Sequence, residues 1–249
     1  MDNKNLENAF ITISKEKLAD LPAASFSGKI TVIDNPELVA PAIATLRKAK
    51  IIGFDTETRP SFKRGQTYKV ALIQLATKDT CFLFRTNIIG LPKQLVEILE
   101  DDSILKVGVS VHDDFHSLKR LNDINPTAFL DLQTYVKNYK IVDNSLSRLY
   151  AILFGERISK AQRLTNWEAA ELSEAQQAYA ALDAWACIKI YEFLKEGNFY
   201  PLSSPYLTFP PEPEAASDYD TEMKPDLNPH TESEPATKPD KKSDSELSC

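Results

Sequence analysis

The stretch "IIGFDTET", residues 51–58, joins an apolar run to two carboxylates. The apolar half is typical of a buried strand in an α/β fold. Asp55 and Glu57 are two residues apart, and alternate residues of a strand point to the same face of a sheet. Two carboxylates on one face repel each other unless a cation lies between them, and Mg²⁺ and Mn²⁺ prefer such oxygen ligands. A polar strand end that faces solvent is the alternative interpretation.

The segments on either side of this stretch predict the fold class. Three strands come close together, and strands then alternate with helices, which favours an α/β fold with a mixed sheet flanked by helices. The residues between 77 and 81 suit a hairpin, and the stretch around residue 112 begins a helix. Strands are predicted at 29–33, 51–56, 69–77, 81–85, 104–111 and 127–133, and helices at 36–50, 92–101, 145–154 and 173–195.

A second acidic position lies in "YAALDAWACIKIY", residues 179–191. Tyr179 and Asp183 are four residues apart in a predicted helix, so they lie one above the other on one face. Asp183 stands in an apolar segment, where an unpaired carboxylate would be costly to bury. The alternative is that Tyr179 packs in the core and Asp183 is solvated.

The stretch "VGVSVHDDFHSLKRL", residues 107–121, places two aspartates between His112 and His116. A zinc protease helix has Glu directly after its first histidine and takes a third ligand from elsewhere. Here Asp113 occupies that position, and the third histidine of the chain is His230 in the polar C-terminal region. The pattern therefore disfavours zinc.

Of the two aspartates, Asp114 is predicted to face inward. It lies one helical turn before Leu118, which the helix should bury. Asp113 lies about 100° around the helix from Asp114 and is better placed for solvent.

Composition divides the chain into three parts. With 249 residues and 43% hydrophobic content, it can bury one α/β domain with extensions. Residues 201–249 hold 11 acidic and 4 basic residues, which equals the whole net charge of −7, and 9 of the 15 prolines. We therefore predict an N-terminal extension at 1–27, a folded domain at 28–200 and a disordered acidic, Pro-rich tail at 201–249. Because the folded part is neutral overall, any nucleic-acid binding should come from a local site.

The cysteines and the N-terminal sequence predict the compartment. Cys81, Cys187 and Cys249 are far apart and form no CxxC motif, which favours a reducing, cytoplasmic (intracellular) environment. The start of the chain lacks a basic segment followed by an apolar core, and no apolar run reaches the roughly 20 residues that span a bilayer. We expect no membrane partner.

Together, the three acidic stretches resemble the motifs of the DEDD superfamily of 3′–5′ exonucleases. The match is to the branch with tyrosine in the third motif, which includes ribonuclease D and the exonuclease domain of the Werner syndrome protein. It runs over roughly residues 28–198 and includes the flanks "RPSFKRGQTYKVALIQLA" and "SKAQRLTNWEAAELSEAQQAYAALDA". The resemblance implies a ribonuclease-H-like fold. Ribonuclease D has helical domains after its nuclease domain, whereas a polar tail follows here.

The resemblance also implies a site and a reaction. Catalytic positions fall on Asp55, Glu57, Asp114, Tyr179 and Asp183. The four carboxylates would hold two Mg²⁺ or Mn²⁺ ions, with Asp55 bridging both. Tyr179 would orient the attacking water, and the products would be nucleoside 5′-monophosphates released from the 3′ end.

Residues that contact the substrate are expected at Thr56, Arg64, Lys160 and Arg163, with Arg163 favoured by its Arg-x-x-Asn-Trp context. For the loop cations, simple solvated charge is the alternative. The expected partners are DNA or RNA 3′ ends, and the motifs do not decide between the two sugars. A non-catalytic nucleic-acid-binding module on the same fold is the alternative function, and the tail is a possible site for a protein partner.

Overall fold

A six-stranded mixed sheet forms the centre of the part of the chain that the computed structural model describes, residues 6–210. The strands are β1 Phe10–Ile11, β2 Lys29–Ile33, β3 Ile51–Thr58, β4 Val70–Ala76, β5 Thr80–Phe84, β6 Leu105–Gly108, β7 Phe129–Asp131 and β8 Leu207–Thr208. The order in the large sheet is β2-β5-β4-β3-β6-β7, while β1 and β8 form a separate two-stranded ribbon.

Strand directions confirm the predicted mixed sheet. β4 runs antiparallel to both β3 and β5, and the Thr77 amide donates to the Thr80 carbonyl across the predicted hairpin turn. The pairs β2–β5, β3–β6 and β6–β7 are parallel. Chain segments that include helices connect the parallel strands, as a parallel connection requires.

Helices cover both faces of this sheet. α2, α4 and α5 pack on one face, and α7 and α8 pack on the other. No helix within residues 6–210 combines the length and the apolar content needed to cross a bilayer. The helices are α1 Lys15–Ala19, α2 Val39–Leu46, α3 Thr86–Ile89, α4 Lys93–Leu99, α5 Val111–Lys119, α6 Leu132–Tyr135, α7 Leu146–Phe154 and α8 Glu174–Lys195.

Element ends differ from the predicted ones where side chains cap the backbone. The predicted strand 104–111 ends at Gly108, and α5 already begins at Val111. The predicted strand 127–133 ends at Asp131, whose carboxylate accepts hydrogen bonds from the Val111 and Gln133 amides. These bonds fix the starts of α5 and α6. The predicted helix 36–50 is a 3₁₀ turn at Pro36–Leu38 followed by α2, which ends at Leu46.

Gly53 allows α8 to lie directly on β3. A Cβ atom at this position would come within 1.8 Å of the Ala184 carbonyl oxygen. Ala180, Ala181 and Ala184 of α8 are fully buried in the same contact. Small side chains on both elements thus allow the helix backbone to lie close to the strand. This closeness positions Asp55 and Glu57, which follow Gly53, and Asp183, which precedes Ala184.

The two terminal segments of the described region belong to the folded unit. β1 pairs antiparallel with β8, and the Thr12 amide donates to the Tyr206 carbonyl at 3.2 Å. Ile11 and Ile13 are fully buried among α7 and α8 residues. The boundaries predicted at 28 and 200 are therefore too narrow, and the disorder predicted for 201–210 is wrong because this segment supplies backbone partners and the apolar Leu207. Residues 211–249 of the predicted tail lie outside the described residues.

Truncation tests this terminal ribbon. A chain ending at Tyr200 is expected to unfold with a free energy about 1–3 kcal/mol lower than a chain ending at Pro210, since it loses the β1–β8 pairing and the packing of Leu207. The melting temperature should fall by several degrees. Equal melting temperatures for the two truncated chains would show that the ribbon does not contribute to stability.

Candidate active site

Three carboxylates meet where β3 passes under α8. Asp55 and Glu57 extend from the same face of β3, and Asp183 comes from α8. One oxygen from each carboxylate lies within 4.8 Å of the other two. Asp183 is buried, and the other two are half-buried. The close approach at Gly53 explains this meeting, because Gly53 and Ala184 are near neighbours of Asp55 and Asp183 in the sequence.

Burial raises the pKa of all three groups, and repulsion adds to this effect for Asp55 and Glu57. Loss of solvent is the largest cause that raises the pKa of Asp55, and the charge of Asp183 adds to it. Desolvation also raises the pKa of Glu57, together with the charges of Asp55, Asp183 and Asp114. The pKa of Asp183 is raised by burial and lowered in part by the nearby Tyr179 hydroxyl and Lys160. Without a cation, the negative charges of the three carboxylates are therefore poorly compensated.

Asp114 lies on α5 beside this trio. Its carboxylate accepts a hydrogen bond of 2.5 Å from the Thr56 hydroxyl. Desolvation and the charge of Asp55 raise the pKa of Asp114, and the Thr56 hydrogen bond opposes that shift. Asp113 is exposed, so the helix register predicted for the two aspartates agrees with the structure. Thr56, expected to contact substrate, is therefore a residue that positions Asp114 in this structure.

Two residues that support this part of the site were missed by the sequence interpretation. Ser110 precedes α5 in a left-handed conformation with φ of 59°, which is unfavourable for a residue other than glycine. Asp131 accepts hydrogen bonds from the Ser110 and Val111 amides at 3.3 and 3.2 Å. It therefore holds the turn that aims Asp114. The signal available in the sequence was an aspartate at the end of the short strand that became β7.

Tyr179 lies one turn before Asp183 on α8 and lines the same cleft. Its ring is 6.1 Å from the ring of Trp167, measured between centroids. Trp167 is fully buried, so it packs in the core and cannot stack on a base. Burial and the charges of Asp183 and Glu57 raise the pKa of Tyr179. Its hydroxyl therefore stays protonated and can donate a hydrogen bond toward an oxygen near the cluster.

A cleft of about 440 Å³ opens beside these residues. Lys160 and Arg163, both predicted to contact substrate, line it together with Tyr179 and Asp183. The positive charge of Arg163 lowers the pKa of Glu57 against the larger opposing effects. Arg64, also predicted to contact substrate, is exposed on the loop after β3 and does not line this cleft.

Gln74 is a further polar residue that the sequence interpretation missed. It is directly opposite Asp55 in the β3–β4 pair, so both side chains lie on the face that α8 covers. The side chain is fully buried, and neither of its polar atoms has a hydrogen-bond partner among the described residues. In the sequence, this position is marked by a single amide side chain inside the otherwise apolar strand "VALIQLA".

The histidines of the stretch at residues 107–121 are not part of the cluster. His112 and His116 are both exposed on α5. The His112 ring packs edge-on against Phe115, with centroids 5.7 Å apart. The three clustered ligands are all carboxylates, so the site has the oxygen-only chemistry of hard divalent cations and not the nitrogen and sulfur ligands typical of structural zinc.

Comparison with protein families places this geometry in a known group. A family model described as 3′-5′ exonuclease matches residues 30–197, which include every element that carries the carboxylates. The chain belongs to the 3′-5′ exonuclease family. The domain thus extends across the whole six-stranded sheet, from within β2 to just beyond α8.

Individual relatives agree with this exonuclease domain. The mouse bifunctional 3′-5′ exonuclease/ATP-dependent helicase WRN is 34% identical over 198 residues, which is 75% of this chain but 14% of the mouse protein. Ribonuclease D of Gluconacetobacter diazotrophicus is 30% identical over 72% of this chain and 45% of its own length. The chain thus spans less than half of these two relatives. The Nibbler EXO domain of Aedes aegypti superposes with a TM-score of 0.63 at 23% identity, covering 72% of this chain and 96% of that domain. This likeness confirms the ribonuclease-H-like α/β fold.

The exonuclease site has the composition of a divalent cation site. Its ligands are oxygens only, burial and the charge of Asp183 raise the pKa of Asp55, and the buried Gln74 amide beside Asp55 has no partner within residues 6–210. A cation would neutralise the carboxylates, and its hydration shell would supply partners for buried polar groups. Asp55, Glu57 and Asp183 can bind an ion directly, and Asp114 lies next to them.

The raised pKa values predict how stability depends on pH. A carboxyl group whose pKa is higher in the folded than in the unfolded chain binds extra protons when folded. Without metal, the free energy of unfolding should therefore decrease as the pH rises from about 4 through the raised pKa values of the cluster. Divalent cations displace these protons, so the increase in melting temperature on adding Mn²⁺ should grow between about pH 5 and pH 8. Thermal melts with Mn²⁺ or chelator measure both trends, and a Mn²⁺ effect independent of pH would contradict them.

Proposed function

We propose that the chain is a divalent-metal-dependent 3′–5′ exonuclease that releases nucleoside 5′-monophosphates from the 3′ end of DNA or RNA. The observation that carries this proposal is the meeting of Asp55, Glu57 and Asp183, the last of which lines an open cleft together with Tyr179. Relatives whose names describe 3′-5′ exonuclease or ribonuclease D activity support the reaction class.

Each carboxylate has a distinct place in the proposed reaction. Asp55, Glu57 and Asp183 would hold the two cations directly. Asp114, held by the Thr56 hydroxyl, would complete their binding. Bound Mg²⁺ or Mn²⁺ supplies a more acidic water and stabilises the charge that develops on the phosphate.

The other cleft residues would position the reacting groups. The protonated Tyr179 hydroxyl can hold the attacking water, because it lies one turn from Asp183 at the edge of the cluster. Arg163 and Lys160 are exposed at the same cleft and can bind the phosphates of the strand. A non-catalytic binding module would not need four carboxylates that destabilise one another, so the cluster favours the enzyme.

End-labelled oligonucleotides provide the test. We expect shortening from the 3′ end with Mg²⁺ or Mn²⁺, loss of activity in excess chelator, and 5′-monophosphate products. DNA and RNA substrates in single- and double-stranded form would establish the sugar and strand preference. Activity that persists in chelator, or products with a 3′-phosphate, would rule out the mechanism.

Changing Tyr179 to phenylalanine tests the role of its hydroxyl. The substitution keeps the ring that packs beside Trp167 and removes the oxygen near Asp183. We expect turnover to fall by about 10- to 10⁴-fold through lost positioning or proton transfer, while Mn²⁺ affinity is nearly retained. Calorimetric titration with Mn²⁺ measures that affinity, and a loss as large as that of the rate would make Tyr179 a structural support.

A further inference from the structure

A buried glutamine lies in the sheet next to the carboxylate cluster. Gln74 of β4 is fully buried, and it is paired with Asp55 of β3 on one side and with Leu83 of β5 on the other. Neither the nitrogen nor the oxygen of its amide has a hydrogen-bond partner within residues 6–210. A buried amide without partners destabilises a fold, so its place in an apolar strand requires an explanation.

The surroundings of this amide are otherwise apolar. Alternate residues of a strand share a face, so Leu72 and Ala76 lie on the same face of β4 as Gln74. Both belong to a buried apolar cluster that also contains Ala180 and Ala184 of α8. The backbone groups of β4 pair with β3 and β5, and those of a helix pair within the helix. Partners for the amide must therefore come from polar side chains on this face.

The strand register offers the amide nitrogen a partner in the Asp55 carboxylate. Cβ atoms of directly opposite residues are about 4.5–5.5 Å apart, so a glutamine side chain can reach a carboxylate on the facing strand. A carboxylate has two oxygens, and each can accept at more than one lone pair. One Asp55 oxygen lies within 4.8 Å of a Glu57 oxygen and an Asp183 oxygen. The second oxygen can accept a hydrogen bond from Gln74.

Arg85 offers a partner to the amide oxygen. It directly follows β5, two residues beyond the position paired with Gln74, so it shares the face of Gln74 and is its diagonal neighbour. Arg85 is fully buried and donates to the Ala169 and Ala170 carbonyls, whereas its Nε atom has no partner in the described part of the chain. A guanidinium only donates, so it selects the oxygen end of the amide and turns the nitrogen end toward Asp55.

We propose that Gln74 is a positioning residue for the metal ligand Asp55. Its amide nitrogen donates to the Asp55 carboxylate, and its amide oxygen accepts from the Nε atom of Arg85. The proposal rests on the cation-dependent exonuclease function proposed above. A side chain that hydrogen-bonds a ligand fixes the orientation of that ligand and favours metal binding. Because Arg85 also binds the segment before α8, one chain of hydrogen bonds would join β3 to the start of the helix that carries Asp183.

Replacing Gln74 with methionine tests this role, because methionine fills a similar volume and lacks the amide. Calorimetric titration should show an affinity for Mn²⁺ about 10- to 100-fold below that of the natural chain. The Mn²⁺ concentration that gives half-maximal hydrolysis should rise by the same factor, and the rate should largely recover at saturating Mn²⁺. In chelator, we expect the melting temperature to change by no more than about 5 °C.

Leu75→Met is the matched control. Leu75 is the next residue of β4 and is fully buried on the opposite face of the sheet, in the cluster that contains Phe54 and Leu95. The substitution introduces the same side chain with little change of volume. We expect the natural affinity for Mn²⁺, so a loss confined to Gln74→Met belongs to the amide.

A double-mutant cycle separates positioning of Asp55 from packing of the sheet. Asp55→Ala removes the acceptor, so the amide then has no ligand to orient. In that background, adding Gln74→Met should lower the affinity for Mn²⁺ by no more than about twofold, because both changes remove one interaction. An indirect effect of packing would instead lower the affinity by the same factor with and without the Asp55 carboxylate.

Nuclear magnetic resonance of the natural chain gives a readout that needs no substitution. The two Nε2 protons of Gln74 can be assigned through their correlations with the side-chain carbons. We expect these signals to shift on titration with diamagnetic Mg²⁺ and to exchange slowly with solvent at saturation, as donors held by Asp55. Signals that stay unchanged at saturating Mg²⁺ would overturn the proposal, even if Gln74→Met failed to fold.

The outcomes separate this proposal from the function on which it rests. Natural affinity for Mn²⁺ in Gln74→Met, or an equal loss with and without Asp55, would overturn the positioning role and leave the exonuclease intact. A large fall of the melting temperature in chelator with natural affinity would make Gln74 a packing residue. If the natural chain bound neither Mn²⁺ nor Mg²⁺, the proposed function itself would fail.

Discussion

Replacing Asp55 with asparagine is expected to reduce hydrolysis of the 3′-terminal phosphodiester by at least about a hundredfold, because it removes a charged ligand shared by both proposed cations. Asp55 lies at the centre of the cluster, where its charge raises the pKa of both Glu57 and Asp114. Asparagine keeps the shape of the side chain but offers a cation one neutral oxygen. Steady-state rates in Mg²⁺ and in Mn²⁺ measure the loss.

The same substitution should not destabilise the metal-free protein. Burial and the nearby Asp183 charge disfavour the ionised form of Asp55, so removing its charge relieves repulsion. In chelator, we expect a free energy of unfolding equal to or higher than that of the natural chain. The increase in melting temperature on adding Mn²⁺ should shrink. Asp183→Asn should behave in the same way, and either variant with natural activity would refute the assignment of the ligands.

The neighbouring aspartates of α5 should differ sharply. Asp114→Asn is expected to lower turnover in Mg²⁺ by at least about a hundredfold while the protein stays folded, since Asp114 is the acidic side chain of α5 beside the cluster. The Thr56 hydroxyl can still donate to an asparagine oxygen, so the local packing survives. Rates measured together with unfolding curves distinguish loss of chemistry from loss of structure.

Asp113→Asn is the matched control for this change. Asp113 is exposed in the first turn of α5, where its charge complements the helix dipole. We expect a cost of at most about 1 kcal/mol of stability and little effect on turnover. If Asp113→Asn abolished activity and Asp114→Asn did not, the helix would be rotated by one residue relative to the structure.

Local patterns sufficed to predict most of the fold. The apolar strands and the alternation of strands with helices predicted the mixed sheet, because side-chain periodicity directly reflects which face is buried. The ends of elements were less predictable. β6 and β7 end early because the Asp131 carboxylate binds amides that are 20 or more residues away in sequence, and no local pattern contains that contact.

The residues that the sequence missed share one property. Gln74 lies opposite Asp55 on the paired strand, and the Asp131 carboxylate accepts hydrogen bonds from the Ser110 and Val111 amides. The terminal ribbon likewise joins residues 10–11 to 207–208. Each depends on contacts between segments distant in sequence, and a short polar or apolar segment read by itself gives no sign of its partner.

The sequence by itself determined which residue types occur and at what spacing: Asp-x-Glu on a strand, Asp114 one turn before Leu118, and Tyr179 one turn before Asp183. Backbone geometry converts these spacings into shared faces without any knowledge of the fold. Only the tertiary structure decided that the face of β3 with Asp55 and Glu57 meets the face of α8 with Asp183. Gly53 admits the α8 backbone to β3, so that Asp183 comes within 4.8 Å of Asp55 and Glu57.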